Sequence, residues 1–215
     1  MSFFLGSFER TIFRPTMTTL AKDEVIKSDI LEEAAKLFRH YGLQKTTMED
    51  IARAVGKGKS TLYYYYKNKE EIFDAVIRKE KNMMFRNIQE SVSREESAVK
   101  KLEAFTRSKM REIKRMTTLY QVVASELKLC NELETSIRRN YDCTEIEILK
   151  SILQYGVVTG EFPNYDQQDI GMLAFLLVNA QRGVETALVM DQKLDEIGEM
   201  MDFLVSILMN GIRRS

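Results

Sequence analysis

Between Asp50 and Glu70 the chain carries Arg53, Lys57, Lys59, Lys67 and Lys69 and no carboxylate, with Tyr63, Tyr64, Tyr65 and Tyr66 in a row among them. Cations release counterions when they meet a phosphate backbone, and phenols and small hydroxyls donate to phosphate and sugar oxygens. The chemistry available to this stretch is therefore recognition of a polyanion rather than the making or breaking of bonds.

The surrounding residues say how such groups are held. Thr47 can cap a short helix whose third residue is Asp50, close to a capping box, with Met48, Ile51, Ala52 and Val55 as its inward face. Gly56 stands where a left-handed residue would stop that helix, and Gly58 keeps the connection tight. A second short helix follows from about Lys59 to Tyr66, with Leu62 and Tyr66 four apart and inward. That leaves Lys59, Ser60, Thr61, Tyr63, Tyr64 and Tyr65 on other faces. Asn68 and Glu71 form a second capping box and open a long helix, placing Lys69 at an N-terminus that already favours an anion. Two short helices about a glycine turn are a helix-turn-helix signal.

The stretch resembles the DNA-binding signature of the TetR family of transcriptional regulators. Thr46, Thr47, Asp50, Ile51, Ala52, Gly56, Lys59, Thr61, Leu62, Tyr63, Lys69, Glu70 and Glu71 fall in register without a gap, and the likeness extends upstream through ILEEAAKLFRHYGLQKTT. Two positions depart from the pattern: Gly58 replaces a capping Ser, and Ser60 replaces a Gly. Glycine is a tolerated cap, so the recognition helix survives with a weaker start. The DNA-contacting set is then Thr46, Thr47, Lys57, Lys59, Ser60, Thr61, Tyr63, Tyr64, Tyr65 and Lys69, with Tyr66 a packing residue. Lys69→Ala is expected to weaken binding to all sequences alike and to lower the salt slope by about one. Ser60→Ala or Thr61→Ala is expected to change the preferred operator.

Composition fits an all-α chain: 44% hydrophobic, 30% charged, two prolines and no tryptophan in 215 residues. The formal net charge is zero, so affinity for DNA must come from local asymmetry. Such asymmetry exists: from Glu161 to Asp202 acids recur, against only Arg182 and Lys193. Cys130 and Cys143 are too few for a disulfide framework, His40 is the single histidine, and neither a metal site nor a cofactor is expected; a cytoplasmic setting follows. No apolar run approaches the roughly 20 residues that span a bilayer, and Glu9 and Arg10 interrupt the opening stretch too early for a signal peptide.

In chain order, residues 1–23 read as a flexible tail, 24–70 as a three-helix DNA-binding domain and 71–215 as a helical body, with 71–90 a connecting helix. The first helix runs from Val25 to Tyr41 and Gly42 ends it; SVSREES (91–97) reads as loop. Helices follow over about 98–114, 117–129, 132–158, 167–190 and 192–213, with a turn at GVVTGEFPN (156–164). The last two hold far more apolar surface than one pair of helices needs. A symmetric four-helix interface buries such faces, so a homodimer is expected through 167–190 and 192–213.

The resemblance also implies a small-molecule inducer held among the body helices, where Phe105, Met110, Met116, Tyr120, Tyr141, Phe175 and Asn179 are the candidate contacts and Gln121, Asn140 and Gln181 further polar ones. The expected function is a ligand-responsive regulator, a repressor by occlusion, placing one recognition helix per subunit in successive major grooves of double-stranded DNA. Two other readings compete with this one. An enzyme would need convergent nucleophile, base or metal ligands, and no such group is present in the pattern. A non-DNA adaptor would use the basic stretch on an acidic protein or membrane, against the unbroken match from Ile30 to Ile72.

Overall fold

The computed structural model describes the backbone of residues 17–127, 131–190, 193 and 197–212, and side chains except those at 17–21, 117–142, 189–190, 197, 208–209 and 212. Among these residues there are eight α-helices and no strand: α1 (Met17–Lys45), α2 (Met48–Val55), α3 (Lys59–Tyr65), α4 (Lys69–Ser93), α5 (Ala98–Leu127), α6 (Asn131–Thr159), α7 (Gln167–Met190) and α8 (Ile197–Ile212). The expected all-α class, a helix-turn-helix head followed by a helical body, is what the chain adopts.

Three boundaries differ from the expectation, each for a physical reason. Residues 17–23 are helical rather than tail, because the Tyr65 hydroxyl donates to Asp23 Oδ1 at 2.7 Å and ties the start of α1 to the head. Local periodicity cannot see a contact 42 residues away. Helix α4 continues through Ser93, its serines bonding back along the helix, Ser91 to the Asn87 carbonyl and Ser93 to that of Glu90. The expected break near 115–116 is absent and α5 is one helix, since Met116 is buried and Arg115 is paired to Glu112 and Glu80. Helix α8 is described from Ile197 onward; the expected start at 192 lies among residues 191–192 and 194–196, which are outside the description.

Helix α4 is the structural axis. It packs on α1 at one end and on α5 along its length; α5 in turn meets α6, α7 and α8. One continuous apolar core results. Ile30, Phe38, Ile51 and Leu62 of the head join Ile72, Phe73, Val76 and Ile77 of α4, and the same cluster runs on through Ile88, Leu102, Phe105, Leu149, Phe162 and Ile170 in the body. Phe38 meets Phe73 edge to face with ring centroids 5.2 Å apart. Met110, Ile113, Leu188 and Met201 form a second, smaller cluster at the far end of the body.

The corner between α6 and α7 is built around Phe162, which is buried against Gly156 so closely that a Cβ there would fall 2.2 Å from the ring. Next to it, Glu161 Oε1 accepts from the Ala98 N–H at 2.8 Å and so caps the start of α5 across 63 residues. The described helices include none long and apolar enough to cross a membrane.

Candidate nucleic-acid interface

The head begins with a capping box. Thr47 Oγ1 accepts from the Asp50 N–H at 3.2 Å and donates to Asp50 Oδ2 at 2.6 Å, while the Thr47 N–H reaches the same oxygen at 3.1 Å. Those bonds from Thr47, side chain first and backbone second, hold the Asp50 carboxyl below its ordinary value of 3.8. At the other end of α2, Gly56 takes φ 68°, ψ 31°, and its N–H turns back to the Ala52 and Arg53 carbonyls. A side chain would be strained there, which is why a glycine occupies the turn. Gly58 opens α3 without a side-chain cap, as its identity predicts.

This frame sorts the ten expected contact residues into two groups. Lys57, Lys59, Ser60, Tyr63 and Tyr64 are exposed together on and before α3, Tyr64 with 76% of its surface open, and Thr61 is half-buried beside them. Thr47 is exposed at the start of α2. These side chains are cations, hydroxyls and phenols at the start of α2, on α3 and in the turn between them.

The other three expected contacts are engaged inside the protein. Thr46 is 1% exposed and its hydroxyl donates to the Gly42 carbonyl at 2.7 Å. The Tyr65 phenol, half-buried, is committed to Asp23; that bond, with some burial, pushes its pKa up to about 12. Lys69 Nζ reaches the carbonyls of Leu43, Gln44 and Thr46 at 2.9, 3.0 and 3.1 Å. An ammonium has three N–H donors, and all three are used. Lys69 therefore ties down the carbonyls at the end of α1.

Sequence reading also missed Glu49. Its carboxylate forms an ion pair with Lys59 across the turn. The hydrogen bond from Lys59 lowers the Glu49 carboxyl and raises the Lys59 ammonium. A partner ten residues away on another helix has no periodic signature.

The comparisons with known proteins meet this geometry at the same residues. Residues 30–76 match the family model described as bacterial regulatory proteins, tetR family. The uncharacterized HTH-type transcriptional regulator YhgD of Bacillus subtilis is 46% identical over 50 residues, 23% of this chain and 26% of that protein. The HTH-type transcriptional repressor KstR2 of Mycolicibacterium smegmatis is 28% identical over 144 residues, 65% of this chain and 69% of the relative. A crystal structure of a transcriptional regulator from Cytophaga hutchinsonii superposes with a TM-score of 0.76 at 26% identity, covering 90% of this chain and all of the other. Similarity to the TetR family is thus shown for residues 30–76, the segment that holds the two short helices and their flanks. TetR-family proteins are transcriptional regulators and not enzymes, which sets the expected class.

In the helical body the candidate ligand residues separate. Phe105, Met110 and Met116 are buried on α5. Phe175 is 55% exposed on α7, and Asn179 is exposed with its Nδ2 donating to the Phe175 carbonyl at 2.8 Å. These two are exposed on α7, apart from the buried α5 group. The side chains of Tyr120, Tyr141, Gln121 and Asn140 lie outside the described residues.

Two polar clusters escaped the sequence reading. Arg39 of α1 pairs with Glu80 of α4 at 2.6 Å, and Arg115 of α5 reaches the other oxygen of Glu80 at 3.1 Å and Glu112 at 2.9 Å. A single carboxylate thus links head, axis and body. Deeper in, Lys109 of α5, 2% exposed, donates to Glu145 of α6 at 2.8 Å and lies 2.9 Å from Glu185 of α7. Each of the three stands on the apolar stripe of its helix, a signal visible as a charge at a core-spaced position.

Proposed function

We propose that the chain is a repressor that binds a palindromic operator as a homodimer and is released by a small organic inducer. The observation that carries the reading is the exposed face of Lys57, Lys59, Ser60, Thr61, Tyr63 and Tyr64 on a helix held between two capped neighbours. Lys57 and Lys59 supply phosphate attraction; Ser60 and Thr61 are the residues that would read base edges. The relative named as a repressor supports the direction of regulation.

Dimerisation is supported by an apolar band left open on the last two helices. Met172, Phe175 and Leu176 of α7 and Met200, Phe203 and Ile207 of α8 are each 45–68% exposed. Their spacing puts them on one outer surface, whereas Ile170, Ala174, Leu177, Met201 and Val205 of the same helices are buried. Pairing two such bands makes a four-helix interface that sets two heads about 34–36 Å apart, one turn of duplex. An inducer with greater affinity for another spacing lowers DNA affinity by that difference, typically about 1–3 kcal/mol.

Footprinting on the DNA that flanks the chain's own gene tests the proposal. The expected result is protection of two half-sites related by a two-fold axis, with light scattering giving twice the chain mass. Equal affinity for operator-sized fragments and unrelated duplex, or protection of a single half-site by a single subunit, would overturn it.

A further inference from the structure

The cluster at Lys109 is unbalanced in both charge and hydrogen bonding. Glu145 and Glu185 face one ammonium, so two carboxylates share a single buried cation. Lys109 Nζ and Glu185 Oε1 form a close ion pair at 2.9 Å, and apart from that ammonium, which Glu145 shares, Glu185 Oε1 has no hydrogen-bond donor among the described residues. One turn away on α7, Gln181 is 2% exposed; its Nε2 donates to Thr106 Oγ1 at 3.3 Å and its Oε1 is also unpartnered. Thr106 and Lys109 are one turn apart on α5, so that bond sets the two helical rungs side by side. Buried acceptors without donors cost free energy, and such atoms in a native protein call for an explanation.

Burial raises the Glu185 carboxyl more than Lys109 lowers it. Arg182, on the same helix, adds a favourable charge at Glu185, while Gln181 Oε1 has no donor and Glu185 Oε1 has only the shared ammonium among the described residues. Beside it lies the small apolar cluster of Met110, Ile113, Leu188 and Met201, separate from the main core and containing two flexible methionines.

We propose that this cluster is the polar end of the inducer site, and that it receives a protonated amine on Gln181 Oε1 and Glu185 Oε1, with the ligand's apolar part against Met110, Ile113, Leu188 and Met201. The assignment rests on the reading of the body as the ligand-binding half. It names the ligand class by sign: a cation with a hydrocarbon portion completes the site. A carboxylate of the same size would meet Glu145 and Glu185 and be repelled.

The test uses the full-length protein, titrated calorimetrically with n-hexylamine and phenethylamine and, as matched probes, hexanoate and n-hexanol. The expected result is saturable binding of the amines, weaker binding of the alcohol and none of the acid. Glu185→Gln keeps the shape and removes the charge, and it should lower amine affinity about tenfold or more, as loss of a charge-assisted hydrogen bond does. Gln181→Met provides a second arm should the first variant fold poorly, with a smaller loss in the same direction. Hexanoate binding as well as hexylamine, or amine affinity unmoved by both variants, would overturn the proposal. So would the absence of any amine binding, which is the outcome if a proton on Glu185 or a turned amide at Gln181 already closes the cluster. DNA binding measured in parallel separates the two readings. Footprints without amine binding sink this inference alone, and amine binding without footprints sinks the regulator reading.

Discussion

At Lys69 all three ammonium protons are directed at the carbonyls of Leu43, Gln44 and Thr46. Lys69→Met should therefore cost about 1–2 kcal/mol of stability, the range for hydrogen bonds to a charged group discounted for partial exposure. The salt slope of DNA binding should stay the same. Chemical denaturation with anisotropy at several salt concentrations checks both, and a slope reduced by one with stability unchanged would restore the phosphate role. Glu49 acts the other way. It holds Lys59 in an exposed ion pair on the recognition face, so Glu49→Gln should free a cation and steepen the salt slope by up to about one unit. Residue types and exposure were legible here: Lys57, Ser60, Tyr63 and Tyr64 stand where helical spacing puts them. The partners of Lys59, Tyr65 and Lys69 were not, because each lies on a different helix.

At the scale of elements, caps and corners decide the order of the head. Bonds from Thr47 hold the Asp50 carboxyl below its ordinary pKa. A depressed folded value means that the contribution is complete above the unfolded pKa and is lost as pH falls through the folded one. Wild type should accordingly lose its advantage over Asp50→Asn as pH falls below the ordinary carboxylate range near 3.8, measured as the difference in denaturation midpoint. The α6–α7 corner makes a different prediction. Gly156→Ala drives a methyl into the Phe162 ring, and overpacking of this kind costs about 1–3 kcal/mol, visible as a lowered melting temperature. The capping boxes, Gly56 and the 156–164 break were readable in the sequence because each is a local device. The continuity of α5 through Arg115 was not, since Glu80, which holds that arginine, belongs to α4.

For the whole molecule, pairing through the exposed band on α7 and α8, as proposed, would couple subunit association to DNA binding. Phe203 is 68% exposed at its centre. Phe203→Glu places a charge where two bands would meet, and the expected result is a single subunit by light scattering with operator affinity reduced roughly a hundredfold or more, the avidity of two linked half-sites. An unchanged mass would move the interface elsewhere. The apolar excess of these helices was legible in the sequence. The assignment of Phe175 to that outer band rather than to the interior needed α5 and α6 in place, because a helix rich in apolar residues on several sides does not announce which side its neighbours cover.

The apolar cluster that runs from Ile30 through Phe73 to Phe105 and Ile170 gives the chain no seam between reading head and body. A fragment cut after residue 70 would leave Ile72, Phe73, Val76 and Ile77 behind, and with them one wall of its own interior. Such an isolated head should be largely unfolded, and the intact chain should melt in one calorimetric step. Selection for a new operator would then act on a surface whose support is shared with the ligand half, so that loosening either end is felt by the other.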